Sequence, residues 1–444
     1  MALSGDRSFV GFGFGAIQAG LFLYEAYRSG SFRSLTVAEV VPETVARLRE
    51  SGGQYSVNIA FRDCVRAEQV GPIQAMNPED AADRRVLIHA VASASEIATA
   101  LPSVRFYASS SAGSVHRILA EGLLQKVTLD GPPVIIYAAE NHNRAAELLE
   151  EAVLGALPPG CRAAVCKRVA FVNTVIGKMS GVVTDAQQVA KQGMACVTPG
   201  DGRAFLVEEF NRILISRPLS TGHGSVPDFR RGIQVFEEKL DLLPFEEAKL
   251  YGHNSTHAVA AYLGMILGVE QITDLGKQAG VIDFLRAAFV EESGEALIRK
   301  HTGVDRLFTR AGYREYADDL LERMTNPFLG DTVDRVGRDP ARKLEWDDRL
   351  VGTIRTALSQ GIPAPRYSIG AAAALNALHP STLRSATDLR GVLLPLWEKS
   401  SPDPVEMAAV IAAIETGLRK LWRWRDAGFP NLEAFAGERS ANAS

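Results

Sequence analysis

Short apolar runs alternate with amphipathic stretches along the first half of the chain. Apolar runs bounded by turn residues predict strands at residues 8–11, 35–41, 85–91, 104–108, 134–138 and 168–172. Apolar positions that recur every three or four residues predict helices at 17–28, 42–51, 114–124 and 143–157. Strands that alternate with helices in this way are typical of a parallel sheet covered by helices.

The second half of the chain has a different pattern. From about residue 235 onward, apolar positions recur at helical spacing and strand signals nearly vanish. This pattern predicts a mostly helical region with helices at 245–251, 255–267, 281–300, 313–325, 347–360, 369–378 and 404–426. Residues 220–228 are rich in Ser, Gly and Pro, and they indicate a boundary between two domains.

The composition of the 444 residues argues against several classes of protein. A formal net charge of −4 does not suit a general nucleic-acid binder, which needs a dense cationic face. Four cysteines are too few for a disulfide framework, and no second Cys/His pair accompanies Cys161 and Cys166, so we expect no metal site. The apolar runs at 10–23 and 258–267 are too short to span a bilayer. We therefore expect a cytoplasmic protein that binds neither nucleic acid nor a membrane.

A glycine-rich turn follows the first predicted strand. Gly11, Gly13 and Gly15 come directly after an apolar run and before a predicted helix, and Gln18 stands where the usual pattern has its third glycine. Glycine there lets the chain turn sharply and lets backbone N–H groups approach a pyrophosphate at a helix N-terminus. We therefore predict a dinucleotide site formed by Gly11, Gly13, Gly15, Ala16, Ile17, Gln18 and Glu39.

Glu39 lies towards the end of the second predicted strand. A carboxylate there can accept hydrogen bonds from a ribose diol and repel a 2′-phosphate, which favours NAD over NADP. A buried glycine-rich turn with an incidental surface acid remains the alternative. With the helical second half, this unit predicts an α/β protein. We expect a Rossmann-type dinucleotide-binding domain over residues 1–225 and a mostly α-helical substrate and catalytic domain over residues 226–444.

Candidate chemistry lies early in the helical half. Lys249 precedes a predicted helix start at Asn254 or Ser255, and His257 falls in the first turn of that helix. If they converge, a lysine of lowered pKa can take a hydroxyl proton while an amide and an imidazole stabilise charge on the oxygen. Such a site oxidises an alcohol by hydride transfer to a nicotinamide. Taken singly, the same residues also suit a helix cap, an ordinary polar contact and a solvated lysine.

A series of motifs carries a family resemblance over roughly residues 8–425. Lys249, Asn254 and His257 resemble the Lys-x4-Asn-x2-His signature of the polyol-specific long-chain dehydrogenase/reductase family, the mannitol dehydrogenases. Similar likenesses follow chain order, at 13–16, 139–141, 171–173 and 326–335. The run at 334–344, with 348–352, resembles the mannitol-1-phosphate 5-dehydrogenases of that family.

The resemblance implies roles for individual residues. Lys249 would be the general base in polyol oxidation, and its ammonium would protonate the oxygen in the reverse reaction. Asn141 and Asn254 would stabilise the oxyanion, and His257 would orient and polarise the substrate oxygen. The resemblance also implies that substrate binds between the two domains and that no catalytic zinc takes part.

A cationic stretch in the helical half predicts an anion site at Arg335, Arg338, Arg342 and Lys343. Arginine forks bind phosphate oxygens bidentately, although the interleaved acids leave a salt-bridged loop open as the alternative. By resemblance, Arg335 and Lys343 match substrate-contacting positions. We therefore favour a polyol-phosphate:NAD oxidoreductase, monomeric or homodimeric, with mannitol 1-phosphate and fructose 6-phosphate as the default pair.

One departure from the family pattern leaves two alternatives open. The family segment that begins at 171–173 usually continues to an Asp-Arg pair, and Gly177-Lys178 stands there. That acid helps to arrange the substrate, so the hexitol orientation usual in the family is in question. The first alternative is a dehydrogenase of a free polyol or a hexuronate, and the second is a catalytically silent NAD-binding relative.

Overall fold

The structure is a computed structural model that describes residues 6–217, 229–380 and 389–437. The chain divides into two compact units, Met1–Leu243 and Pro244–Ser444. The predicted linker at 220–228, and with it the boundary between residues 225 and 226, lies outside the described residues and stays a prediction. The strand Phe236–Lys239 joins a sheet of the first unit, so this part of the chain belongs with the N-terminal unit.

The described part of the first unit contains two sheets. Its strands are β1 (Arg7–Phe12), β2 (Phe32–Ala38), β3 (Tyr55–Ala60), β4 (Val65–Val70), β5 (Gln74–Met76), β6 (Glu96–Thr99), β7 (Val134–Ala138), β8 (Val169–Ile176), β9 (Ser180–Val183), β10 (Ala204–Glu208), β11 (Ile213–Ser216) and β12 (Phe236–Lys239). The larger sheet has the order β12-β11-β8-β7-β6-β1-β2-β5 and is parallel except between β8 and β11. The smaller sheet has the order β4-β3-β10-β9.

The described part of the first unit also contains helices. They are α1 (Tyr24–Ser29), α2 (Pro42–Glu50), α3 (Ala81–Ser93), α4 (Val115–Thr128), α5 (Ala145–Ala156), α6 (Arg162–Cys166) and α7 (Ala186–Lys191), with a π-helical turn Gln18–Leu23 before α1 and 3-10 turns at Val104–Phe106 and Pro159–Cys161. Successive residues of a strand face opposite sides of the sheet. In β7, Ile135 and Tyr137 join a core with α1 and the smaller sheet, whereas Val134 and Ile136 join a core with α3, α4 and α5.

Two of the predicted strands are wrong, and the reasons are local. Residues 85–91 lie inside α3, because the Asp80 carboxylate caps that helix by accepting hydrogen bonds from Ala82 N (2.8 Å) and Asp83 N (2.9 Å). Residues 104–108 contain a 3-10 turn, and the strand of this region is β6 instead. The fully buried Glu96 of β6 hides the apolar signal that strand prediction uses.

The described residues of the second unit form helices joined by turns, and their β-structure is limited to an isolated bridge between Gln271 and Thr332. Its helices are α8 (Leu243–Glu247), α9 (Ser255–Leu267), α10 (Val281–Ala287), α11 (Glu295–Lys300), α12 (Arg310–Met324), α13 (Val333–Gly337), α14 (Pro340–Lys343), α15 (Arg349–Ser359), α16 (Pro365–Leu378), α17 (Leu389–Trp397), α18 (Pro404–Asp426) and α19 (Leu432–Gly437). Two π-helical segments, Ala248–Asn254 and Ala288–Gly294, join α8 to α9 and α10 to α11, and 3-10 turns lie at Ile272–Lys277, Arg306–Phe308 and Glu398–Ser400.

Small residues bring the central helices of this unit together. A Cβ at Gly370 of α16 would lie 2.3 Å from a Val259 methyl of α9, and one at Gly417 of α18 would lie 2.3 Å from Ser368 O of α16. Side chains larger than hydrogen would therefore push these helices apart. The predicted α/β class, with a Rossmann-type N-terminal domain and a mostly helical C-terminal region, is confirmed. No helix in the described ranges is long and apolar enough to cross a membrane.

Candidate functional site

Gly13 makes the sharp turn that follows β1. Its φ of 86° lies in the left-handed region, its N–H donates to Ala38 O (2.9 Å), and a Cβ there would lie 2.8 Å from Ala100 O. Only glycine fits this position without strain. Gly15 follows at the start of the helix, and a Cβ there would meet no atom within 4 Å. The first turn of this helix therefore has open space beside its backbone, which is what an approaching pyrophosphate needs.

Gly11 and Gln18 contact each other beneath this turn. Gln18 is fully buried, and a Cβ at Gly11 would lie 2.0 Å from its Nε2. Among the described residues, neither Nε2 nor Oε1 of Gln18 has a hydrogen-bond partner. The glycine on the strand therefore provides the close helix–strand approach that the missing third glycine would otherwise allow. A cofactor contact by either residue stays a prediction.

Glu39 connects the end of β2 to the glycine turn. Its carboxylate accepts hydrogen bonds from Phe14 N (3.0 Å) and from Val41 N (2.8 Å). Each carboxylate oxygen has further acceptor capacity, so a ribose diol can still be bound by the same group. Ala16 is buried in the first helical turn and Ile17 is half-buried beside it. The predicted cofactor residues therefore lie together around one turn.

The segment 139–141 follows β7 at the same edge of the sheet. The Glu140 carboxylate is buried and accepts hydrogen bonds from Leu101 N (2.8 Å), Thr99 Oγ1 (2.9 Å) and the Tyr107 hydroxyl. Burial raises the pKa of Glu140. Asn141 is exposed next to it. The acid therefore stabilises the end of the sheet. The catalytic role of Asn141 stays a prediction.

Two further segments of the sequence resemblance have structural contacts. The Asn173 side chain accepts a hydrogen bond from Ala146 N and donates one to Glu147, each at 2.8 Å, so it orders the first turn of α5. Lys178, next to Gly177, is buried and donates to Phe210 O (3.0 Å) and Asn211 Oδ1 (2.9 Å). Gly177 therefore stands where the family pattern has its acid, and a buried cation follows it.

Lys249 and Asn254 lie in a π-helical segment of the second unit. The predicted α-helix begins at Ser255 as α9, but it is not a free helix end, because Asn254 has helical backbone angles (φ −67°, ψ −32°) and a π-helical segment joins α8 to α9. A π-turn closes over five residues, so Lys249 and Asn254 come onto one face. In an α-helix, residues five apart would differ in direction by about 140°.

Lys249 has the electrostatics of a proton acceptor. Its side chain is half-buried, and its pKa is lowered to about 8, first by burial and then by the positive charge of Arg349. The Glu246 carboxylate opposes this shift. A neutral amine is therefore accessible near physiological pH, as general base catalysis requires.

His257 follows on the same helix and faces an acid. Its Nε2 lies 3.4 Å from Asp331 Oδ2, and Asp331 is buried with its other oxygen paired to the guanidinium of Arg335. The buried His253 was missed from the sequence, and its ring centroid lies 6.4 Å from that of His257. Burial, followed by the charges of Arg323, His257 and Lys249, lowers the pKa of His253 well below its usual value, so this imidazole is neutral.

The predicted cationic stretch separates into two kinds of side chain. Arg335, Arg338 and Arg342 are exposed. Arg335 pairs with Asp331, and Arg342 pairs with Asp339 (2.9 Å) and Asp348 (3.4 Å). These pairs bear out part of the salt-bridged alternative.

Lys343 is buried, unlike the three arginines. Its ammonium donates to Arg338 O and lies 5.9 Å from the centroid of the Tyr262 ring. Burial, then Arg349 and Arg342, lower its pKa to about 8. The charge of Arg349 thus acts on both Lys249 and Lys343. The run at 348–352 carries part of the family likeness, but the sequence alone predicts no role for Arg349.

Comparison with known proteins agrees with the fold and the motifs. Residues 7–221 match the family model described as the mannitol dehydrogenase Rossmann domain, and residues 241–400 match the mannitol dehydrogenase C-terminal domain. The chain is therefore an oxidoreductase of the class that acts on polyols. It belongs to the mannitol dehydrogenase family.

Relatives and solved structures extend over most of the chain. A mannitol-1-phosphate 5-dehydrogenase of Bacillus licheniformis is 29% identical over 364 residues, which are 82% of this chain and 86% of that protein. The protein of the same name from Brevibacillus brevis is 29% identical over 71% of this chain and 72% of its own length. A substrate-free D-sorbitol dehydrogenase has a TM-score of 0.73 at 14% identity, over 96% of this chain and 94% of its own. Mannitol 2-dehydrogenase of Pseudomonas fluorescens, solved with NAD and D-mannitol, has a TM-score of 0.69 at 16% identity, over 98% of this chain and 95% of its own.

Proposed function

We propose that this chain is an NAD-dependent polyol-phosphate dehydrogenase that interconverts a polyol phosphate and a ketose phosphate. Mannitol 1-phosphate and fructose 6-phosphate are the default pair, because curated relatives of that activity align over most of the chain. The observation that carries the proposal is the π-turn. It brings Lys249, whose pKa is about 8, onto one face with Asn254. His257 follows in α9, and its Nε2 faces the carboxylate of Asp331.

The glycine turn of the first unit fits a dinucleotide. Gly13 is required by its backbone angle, Gly15 leaves open space at a helix N-terminus, and Glu39 keeps acceptor capacity for a ribose. The carboxylate of Glu39 would repel a 2′-phosphate, so we propose NAD over NADP. When bound, NAD supplies an acceptor for hydride.

Lys249 acts as the base in polyol oxidation. Its neutral amine takes the proton of the substrate hydroxyl, the C–H bond of the same carbon breaks with loss of hydride, and the oxygen electron pair completes the carbonyl. The proton on Lys249 Nζ then passes to water. In the reverse reaction the ammonium returns that proton to the oxygen as the carbonyl is reduced.

His257 and Asn254 stabilise the reacting oxygen. The carboxylate of Asp331 lies 3.4 Å from Nε2 of His257, which restricts the orientation of the imidazole. An imidazole and a side-chain amide stabilise negative charge that develops on the oxygen during proton removal. This arrangement does the chemistry without a metal ion, and the predicted second amide, Asn141, stays part of the proposal.

An NAD-linked assay across sugar alcohols tests the proposal. We expect purified protein to form NADH with a hexitol, pentitol or tetritol phosphate, and much less with NADP as acceptor. Wild-type protein that reduces NAD with none of these phosphates would show that the proposed activity is wrong.

A dehydrogenase of free polyols or hexuronates is the second candidate. The pairing of Arg335 and Arg342 with acids favours this candidate, because the neighbouring carboxylates weaken the attraction of these two guanidiniums for a phosphate. The two candidates differ in the ratio of kcat/KM for phosphorylated and free forms of one polyol. A ratio well above one supports the leading proposal, and a ratio at or below one supports the second.

A further inference from the structure

The first turn of α15 packs against the π-helical segment that carries Lys249. The Thr353 hydroxyl donates to Tyr251 O (3.0 Å), and the Tyr251 hydroxyl donates to Asp347 O (3.4 Å). A Cβ at Gly352 would lie 2.5 Å from Cε1 of Tyr251. Because the contact is so close, the residue that begins α15, Arg349, has a defined position relative to the π-turn.

Arg349 is hydrogen-bonded through its backbone N–H and its Nε, and its two terminal guanidinium nitrogens remain available. Its Nε donates to Asp348 Oδ1 (2.8 Å), and the same oxygen accepts a hydrogen bond from Arg349 N (2.6 Å). Within the described chain, the side chain of Arg349 makes its polar contacts through Nε to Asp348, while its backbone carbonyl accepts a hydrogen bond from the Thr353 hydroxyl. The side chain is only 13% exposed, so bulk water does not surround its charge.

The surroundings of Arg349 are cationic and titratable. Burial, and then the charge of Arg349 among others, lowers the pKa of Lys249, His253 and Lys343. Burial raises the pKa of Tyr262, and the charge of Arg349 opposes that shift. Asp348 pairs with both Arg349 and Arg342, and the further acids Asp339 and Glu246 act on the neighbouring Lys343 and Lys249. An anion at this point would be attracted by a mostly buried guanidinium and by the buried ammonium of Lys343.

We propose that Arg349, together with Lys343, binds the anionic group of the substrate and so determines preference for a phosphorylated polyol. A guanidinium presents two parallel N–H groups to two oxygens of a phosphate, and the ammonium adds a point charge. All three arginines pair with acids, but the side chains of Arg335 and Arg342 are 47% and 43% exposed, so water screens their charges more than that of Arg349 at 13%. The inference rests on the proposed function, whose substrate class it specifies.

Steady-state kinetics of Arg349→Gln, with phosphorylated and free forms of one polyol, tests this directly. We expect KM for the phosphorylated form to rise about 10- to 100-fold, as loss of a charge-assisted fork implies, with KM for the free form changed less than threefold. Arg349→Lys keeps the charge without the fork, so its KM should lie between wild type and Arg349→Gln. Arg355→Gln, in the same helix but paired with Asp347 and Glu406, should leave the ratio of the two KM values unchanged.

The pH dependence supplies a readout that misplaced packing would not move. Removing the positive charge of Arg349 should raise the pKa of Lys249, so the acid limb of kcat/KM for the free polyol shifts to higher pH. Arg349→Lys keeps the charge, so its acid limb should stay close to that of wild type, and Arg355→Gln should show no shift.

The outcomes separate this inference from the proposed function. Wild type that turns over no polyol phosphate would disprove the function, and the inference with it. Wild type that prefers the phosphate, with that preference retained in Arg349→Gln or lost only in Arg342→Ala, would overturn the assignment of Arg349 alone. If circular dichroism showed that Arg349→Gln is misfolded, the same comparison would be made with Arg349→Lys. An unchanged ratio of KM for the phosphorylated and free forms would then contradict the assignment.

Discussion

A single amine decides the pH behaviour expected of this protein. Lys249 has a pKa of about 8 because burial removes water from its ammonium and Arg349 adds a repelling charge. The neutral form predominates above this pKa and the charged form below it. The two directions of the proposed reaction need opposite forms, so they should respond to pH in opposite ways.

We predict that kcat/KM for polyol oxidation rises with pH to a plateau above about pH 8, and that ketose reduction falls over the same range. Rate profiles between pH 6 and 10 in both directions measure this. Lys249→Ala should lose kcat by at least about 10²-fold, with partial rescue by added amines. An oxidation profile that is flat through pH 8 would mean that another group accepts the proton.

Glu39 provides a second prediction for one residue. Because its carboxylate faces the glycine turn, Glu39→Ala should raise KM for NAD about tenfold and lower KM for NADP. Initial rates with both cofactors test this. A variant whose NAD and NADP constants both stay at wild-type values would indicate that Glu39 only stabilises the turn.

At the level of elements, the π-turn is the feature that assembles the candidate site. Ala248–Asn254 interrupts an otherwise continuous helix, and Gly252 within it lies against a neighbouring aromatic residue, since a Cβ there would be 2.9 Å from the Tyr313 hydroxyl. Gly352 of α15 allows the same close approach to Tyr251 from another direction. Two glycines therefore let neighbouring helices hold an irregular turn in place.

Gly352→Ala tests this packing. Its Cβ would lie 2.5 Å from the Tyr251 ring, so the π-turn must shift, with a loss of stability of about 1–3 kcal/mol. We expect kcat to fall about tenfold or more, because small displacements of a catalytic group are costly. The control is Gly155→Ala in α5, where a Cβ meets no atom within 4 Å and about 0.4–1 kcal/mol of stabilisation is expected. Unchanged kcat in Gly352→Ala would show that the turn tolerates movement.

On the scale of the whole molecule, a buried lysine stabilises the first unit away from the glycine turn. The ammonium of Lys126 in α4 is fully buried and donates to Ala92 O (2.9 Å), Ala94 O (2.6 Å) and Pro132 O (3.0 Å). It connects the end of α3 with the chain entering β7. Burial lowers the pKa of Lys126 to about 7.

Lys126→Met should leave three carbonyls without their donor and lower the free energy of unfolding by roughly 2–4 kcal/mol. Urea unfolding followed by circular dichroism measures this. Lys191→Met, at an exposed position in α7, should change the stability by less than about 0.5 kcal/mol. Equal stability of the two variants would contradict a structural role for Lys126.

Local sequence was sufficient for elements whose signals are local. The strand at 134–138 and the helices at 281–300 and 404–426 were predicted with the bounds that the structure has. Residues 134–138 are uniformly apolar and residues 404–426 keep one helical period, while 281–300 is one helical run that contains the π-helical segment Ala288–Gly294. The smaller sheet was missed. Its outer strands have weak signals, because β4 carries mostly exposed polar residues and β9 is short, whereas β3 and β10 are largely buried and carried a signal that the prediction did not use.

The sequence by itself determined the α/β class and the glycine turn, and with the family resemblance it proposed the candidate lysine, amide and imidazole, because these depend on residue type and short spacing. Only the tertiary structure decided that the helix continues through Asn254 as a π-turn, that Asp331 faces His257, and that Arg349 influences both Lys249 and Lys343. Those partners are some 75 to 100 residues from the π-turn along the chain. Packing of α13 against α9 and of α15 against the π-helical segment brings them together, and no local periodicity encodes such contacts.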